Sequence, residues 1–127
     1  MSFLMRDPVD YKPILDVTPV ADVTKGEAAV VQDSFGFYFK AADSGDEVTF
    51  VIECRQVLAT KKTGTGEEIS SGEKLYYIVA DDAVTSNDPG SGYGTTCYYC
   101  GTAIEDASAS ASTVLMDFDG TRYAEDV

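Results

Sequence analysis

Apolar side chains recur at every second position in several stretches, and this period limits the possible folds more than any other feature. In residues 34–40, SFGFYFK, the phenylalanines Phe35, Phe37 and Phe39 fall on one face if the stretch is extended, because successive side chains of a strand point to opposite faces. Three further stretches alternate in the same way. Their shared faces are Val48, Phe50, Ile52 and Cys54, then Leu75, Tyr77 and Val79, then Val114, Met116 and Phe118.

A short phrase precedes several of these stretches and indicates a repeated turn. TKGE begins at Thr24, DSGD at Asp43 and SSGE at Ser70, and an apolar run follows each. The glycine supplies the positive φ that such a turn needs. No segment has a long helical period, so the sequence predicts an all-β fold, either a small β-barrel or a β-sandwich.

The first thirteen residues differ from the rest and predict an extended N-terminal arm. Pro8 and Pro13 exclude a helix there and keep the preceding residues extended. Four apolar residues of the arm indicate that it packs either on its own domain or on a partner, and they are the candidate contact residues. They are Phe3, Leu4, Met5 and Tyr11. The chain therefore divides into an arm, residues 1–13, and a single β domain, residues 14–127, with a short acidic C-terminal tail. We expect the arm to be mobile in the free protein, and its deletion to leave the domain folded.

Cys97 and Cys100 form a Cys-x-x-Cys pair, a spacing found in zinc and redox sites. In a strand these two side chains point to opposite faces, so they cannot bind one metal ion together. A zinc site also needs further ligands, and the chain has no histidine to supply them. The sequence favours structural cysteines, with a metal or redox role as the alternative.

Other candidate motifs give little support for catalysis or cofactor binding. GSGYGTT, residues 90–96, has closely spaced glycines. It lacks the following helix and the lysine that are typical of a phosphate site. The acidic residues of 117–126 do not match a calcium loop. They are Asp117, Asp119, Glu125 and Asp126. With no histidine to act as a general base, the chain is predicted not to be an enzyme and to bind no cofactor or metal.

The net charge is −13, which disfavours binding to nucleic acid or to an anionic membrane. The N-terminus lacks the apolar core of a signal peptide, and three cysteines is an odd number. We therefore expect synthesis in a reducing cytoplasm.

Three segments together resemble the capsid decoration, or cement, proteins of tailed bacteriophages. The resemblance spans about residues 24 to 119, and the segments occur in the order that the family shows. The matching positions are Phe35, Gly36, Ala42, Gly45 and Val48 in the first segment, Ile69, Gly72, Glu73, Leu75 and Tyr76 in the second, and Gly101, Ala103, Glu105 and Ala107 in the third. The chain departs from the pattern in its longer arm, its loop at 81–96 and its acidic tail.

The resemblance implies a structural protein on the outer capsid surface of the virion, made in the host cytoplasm. It also implies the major capsid protein as a partner, a homotrimer, and stabilisation of the assembled shell. The alternative function is that of a receptor- or glycan-binding β module on a virion surface, with the long loops and tyrosines forming its site.

Overall fold

A computed structural model describes residues 2–6, 10–89 and 96–123 of the chain. In these residues nine strands and one short 3-10 helix form a single sheet, which confirms the predicted all-β fold. The strands are β1 (Phe3–Met5), β2 (Tyr11–Val17), β3 (Ala28–Val31), β4 (Ser34–Tyr38), β5 (Val48–Thr60), β6 (Lys74–Ile78), β7 (Ala83–Thr85), β8 (Cys97–Ala103) and β9 (Thr113–Asp119), and the 3-10 helix, Val79–Asp81, lies between β6 and β7.

The sheet curls into a half-barrel. Its strand order is β3-β4-β5-β9-β8-β6-β7, and hydrogen-bonded neighbours run antiparallel. The curl brings β7, which ends this order, back to the end of β5, where Val84 forms a parallel bridge with Lys61. The amide of Lys62 donates to the carbonyl of Val84 at 2.9 Å. Of the two architectures that the sequence left open, the structure is closer to a barrel.

The described part of the N-terminal arm belongs to this sheet. β1 and β2 both run antiparallel to β5, from Phe3 opposite Ala59 to Val17 opposite Val48. β2 crosses the expected boundary between arm and domain, while Pro8 lies outside the described residues. The arm is extended as predicted, and its described part lies on the chain's own β5, which is one of the two alternatives.

Two apolar clusters occupy opposite faces of the strands that build them. In β4, Phe35 and Phe37 enter the larger cluster and Tyr38 enters the smaller, so the predicted alternation is confirmed there. The larger cluster contains Phe3, Phe35, Phe37, Val51, Cys54, Val57, Ala59, Ile69, Leu75, Tyr77, Val84, Cys100, Ala103, Val114, Met116 and Phe118. The smaller contains Val17, Val23, Tyr38, Val48, Phe50 and Ile52.

The shared face predicted for β5 is wrong at one position. Val48, Phe50 and Ile52 lie in the smaller cluster as a set, but Cys54 lies in the larger one. The reason is a register shift opposite β2, where Val51 pairs with Pro13 and Glu53 pairs with Lys12. One extra residue on β5 reverses the alternation.

The β5 strand is irregular a second time, opposite β9. Cys54 pairs with Phe118 of β9, and Val57 pairs with Met116. Two residues, Arg55 and Gln56, separate the pairs on β5, whereas Asp117 alone separates them on β9. Gln56 has a φ of 57°, which is typical of such an irregularity. Val57 and Ala59 then continue on the face of the larger cluster.

The repeated turn phrase behaves as predicted. The φ angles of Gly26, Gly45 and Gly72 are 78°, 90° and 91°, so each glycine has the conformation that the phrase requires. In each turn, the amide of the acidic residue after the glycine donates to the carbonyl three residues earlier, at 3.0 to 3.1 Å. In two of the three turns, the carboxylate also accepts from the amide of the first residue. These bonds are Thr24 to Glu27 and Ser70 to Glu73.

Gly101 meets a different requirement, which is a close approach between β8 and β9. A Cβ atom built there would lie 2.0 Å from the carbonyl oxygen of Asp117, and the φ of Gly101 is 137°. A residue with a side chain would clash with this oxygen and would be strained at this φ.

Candidate docking surface

The cysteines lie in the interior of the protein. Cys54, Cys97 and Cys100 are all buried. Cys100 belongs to the larger cluster and Cys97 does not, which fits the predicted placement on different faces. Burial raises the pKa of the Cys100 thiol, and its Sγ donates to the carbonyl of Leu75 at 3.4 Å. A buried thiol with a raised pKa is a poor nucleophile.

The described acidic residues near the C-terminus accept hydrogen bonds from the protein itself, and Asp117 accepts one from the amide of Gln56 at 3.4 Å. Asp119 accepts hydrogen bonds from the amide and hydroxyl of Thr121, at 3.0 and 2.6 Å. Glu125 and Asp126 lie outside the described residues, as does most of the 90–96 loop. Within the described part of the chain, no three His, Cys, Asp or Glu side chains are grouped so that they could hold a metal ion.

The predicted contact residues of the arm differ in how much surface they offer. Phe3 is 1% exposed, and its ring lies 5.0 Å from that of Phe118 and 5.5 Å from that of Phe37, measured between centroids. Leu4, Met5 and Tyr11 are half-buried. The structure thus makes Phe3 a core residue that fixes the segment and leaves part of the other three side chains accessible.

Two interactions hold the start of the arm at this position. The hydroxyls of Ser2 and Tyr77 both donate to one carboxylate oxygen of Asp82. Burial, and next the hydrogen bond to Asp82, raise the pKa of the Tyr77 phenol. The amide of Phe3 donates to the carbonyl of Gly26 at 3.3 Å, which ties β1 to the first glycine turn.

A groove of about 350 Å³ opens between β1, this turn and the end of β4. It is lined mainly by apolar side chains, with two lysines beside them. The lining residues are Phe3, Met5, Lys25, Gly26, Phe37, Tyr38, Phe39 and Lys40. Phe39 also stacks on Tyr11, with ring centroids 5.8 Å apart, so the predicted arm residues and the end of β4 form one apolar surface. We call this feature the β1–β4 groove.

The charge at this groove is opposite in sign to that of the protein. Lys25 and Lys40 are both exposed, and the ion pairs formed among the described residues involve other cations, namely Arg55 and Lys62. Glu27 lies near the groove, because its charge acts on the groove residue Tyr38. Burial raises the pKa of Tyr38, and the charge of Glu27 raises it further. Its carboxylate accepts from the amide of Thr24 at 3.1 Å.

Sequence reasoning found Phe3, Met5 and Tyr11 but missed the other half of the groove. The alternation in SFGFYFK placed Phe39 on the same face as Phe37, which was a usable signal for its part in this surface. Nothing in the sequence pattern brings Lys25 and Lys40 together, because their proximity depends on how the glycine turn packs against β4.

In the described residues, no helix has the length and hydropathy needed to span a membrane. A family model described as phage cement protein matches residues 9–118, from before β2 into β9. No curated protein and no solved structure gives a significant match.

Proposed function

Because this chain belongs to the phage cement protein family, we propose that it binds the outer surface of an assembled phage head and stabilises the shell. The family match over most of the chain is the observation that carries this proposal. The structure supports it in two ways. The described cysteines are buried rather than reactive, and the β1–β4 groove offers a mainly apolar lining to which a protein partner can bind. The role requires no catalysis.

Binding would stabilise the shell by mass action, and symmetry would repeat each contact over the head. A protein that binds the assembled shell but not its dissociated subunits stabilises the assembled state by mass action. Symmetry repeats the same modest interface over the head, so a small contribution per copy adds up. We propose the major capsid protein as the partner and a homotrimer as the form bound to the shell.

The arm segment is the proposed contact within this arrangement. Leu4, Met5 and Tyr11 have accessible parts, while Phe3 keeps the segment in place. Leu4→Ser removes an apolar contact without touching the groove lining, so it should reduce occupancy of heads with little effect on the fold. Phe3 itself would reach a partner only if β1 left the core.

The test is reconstitution on heads that lack the protein. Purified protein is added to undecorated expanded heads, bound copies are counted after sedimentation, and the temperature at which the heads release DNA is measured. We expect saturable binding and a higher release temperature, with no binding to unassembled capsid protein. Equal binding to unassembled subunits, or no binding to heads, would contradict the proposal. Glycan binding by the isolated protein would favour the alternative module.

The oligomeric form is tested separately by imaging decorated heads. A density with threefold symmetry that accommodates three copies is expected. A single copy at each capsomer centre would contradict the homotrimer while leaving the decoration role intact.

A further inference from the structure

The β1–β4 groove combines two properties that are seldom found together on a strongly acidic protein. The chain has 22 acidic and 9 basic residues, yet the charged side chains that line this groove are both lysines. The floor beneath them is apolar and partly aromatic. A groove of about 350 Å³ is within the roughly 300–1,000 Å³ range of binding pockets.

We propose that the β1–β4 groove receives an extended segment of the shell protein in which an apolar side chain is flanked by acidic residues. This inference rests on the proposed attachment to the head and names the chemistry of that contact. The apolar side chain contacts Met5, Phe37 and Phe39, and the acidic groups approach Lys25 and Lys40.

Charge favours a shell segment over a second copy of this chain as the occupant of the groove, and the copies of the proposed trimer would contact each other through other surfaces. Two copies that each carry a net charge of −13 repel each other at long range, and the groove supplies only two cations to offset that. A short acidic segment of the shell protein is attracted to the two lysines and avoids the repulsion from a second whole copy. Charged rims govern encounter rate and register more than total affinity, while a buried apolar anchor supplies most of the binding.

Two features of the fold keep the groove in shape. The amide of Gly26 donates to the carbonyl of Tyr38 at 2.8 Å, and the amide of Tyr38 donates to the carbonyl of Glu27 at 3.0 Å. These bonds hold the turn that carries Lys25 against the strand that leads to Lys40. A preformed groove loses less conformational entropy on binding than one that must first be ordered.

The first experiment identifies the occupant by zero-length cross-linking. Decorated heads are treated with a carbodiimide, which joins a lysine amine to a carboxylate in direct contact, and the linked peptides are identified by mass spectrometry. Links from Lys25 or Lys40 to an acidic residue next to an apolar one in the shell protein are expected. Links from these lysines only to another copy of this chain would overturn the proposal.

The second experiment measures the contribution of the charges. Lys25→Glu/Lys40→Glu should weaken binding to undecorated heads by about tenfold or more, since rim charges of the wrong sign oppose encounter and docking. Lys74→Glu, at an exposed lysine of β6 away from the groove, is the control and should bind within about twofold of the unaltered protein. All three substitutions are at exposed positions, and melting temperatures close to that of the unaltered protein verify the fold.

The outcomes separate this inference from the proposed function. If the unaltered protein binds heads and the double variant binds equally well, the groove is not the contact and the decoration role stands. Because the double variant replaces twice as many charges as Lys74→Glu, a loss of binding free energy in Lys74→Glu of half that in the double variant or more would show a general charge effect and would also overturn the inference. If the unaltered protein does not bind heads at all, both proposals fail.

Discussion

Replacing Phe3 with alanine tests whether the N-terminal segment is a structural strand or a mobile arm. The ring is 1% exposed and has aromatic neighbours on several sides, at centroid distances of 5.0 to 6.0 Å. A buried Phe→Ala change costs about 3–5 kcal/mol, and each lost aromatic pair adds about 0.5–1.5 kcal/mol beyond area burial. We therefore expect a loss in the upper part of the 3–5 kcal/mol range.

That loss is large relative to the stability of such a domain. At about 0.05–0.15 kcal/mol per residue, a chain of this length has a free energy of unfolding of roughly 6–19 kcal/mol. A reduction of about 4 kcal/mol corresponds to a decrease in melting temperature of about 10–20 °C. A mobile arm would instead give a change of less than about 0.5 kcal/mol, as is usual for surface positions.

The assay is urea unfolding of the free protein, followed by tyrosine fluorescence, since the chain has eight tyrosines and no tryptophan. Leu4→Ala is the matched control, because Leu4 lies next to Phe3 in the same strand and is only half-buried. It should cost about 1 kcal/mol. Equal, small losses in both variants would refute the placement of Phe3 in the core and support the predicted mobility of the arm.

Three further predictions concern the rest of the molecule. Gly101→Ala should cost about 3 kcal/mol or more in thermal or urea unfolding, because its Cβ has no space, whereas Gly72→Ala, at a φ of 91° with nothing within 4 Å, should cost only about 1 kcal/mol. The three thiols should resist iodoacetamide at pH 8 in the folded protein and all react in urea, as mass spectrometry can show; rapid labelling of the folded protein would contradict their burial. Because the pKa of Tyr77 is raised above its ordinary value of 10.0, this group's contribution to stability should be fully present below pH 10 and decline as pH rises further. Tyr77→Phe should reduce that alkaline decline, and an unchanged profile would show that Tyr77 is not its source.

The sequence was sufficient for the fold class because alternation and turn chemistry are local signals. β9 is a regular strand, and its burial follows the period of two. Both faces of β4 are buried, but Phe35 and Phe37 still enter one cluster and Tyr38 the other. The glycine turns were predictable for a similar reason, since a positive φ is a requirement of one residue. Neither inference needed to know which strand pairs with which.

The errors arose where pairing decides the outcome. Cys54 was assigned to the wrong face because a register shift changes the alternation without any mark in composition. The sequence does not show that the segment at Phe3 pairs with β5, because β5 lies far away in the sequence. The aromatic rings around Phe3 come from several other strands and are hidden for the same reason. The groove depends on three separate segments meeting, and no local pattern encodes that.

The position of β5 has a consequence for how the chain is made. This long strand pairs with β1 and β2, which leave the ribosome before it, and with β9, whose first residue, Thr113, leaves the ribosome far later. Until β9 arrives, the edge of β5 that it covers has no permanent partner in a nascent chain, and such edges are prone to join neighbouring chains. Translation that stops before Thr113 should therefore yield fragments that aggregate, because the sheet cannot close until β9 has been made.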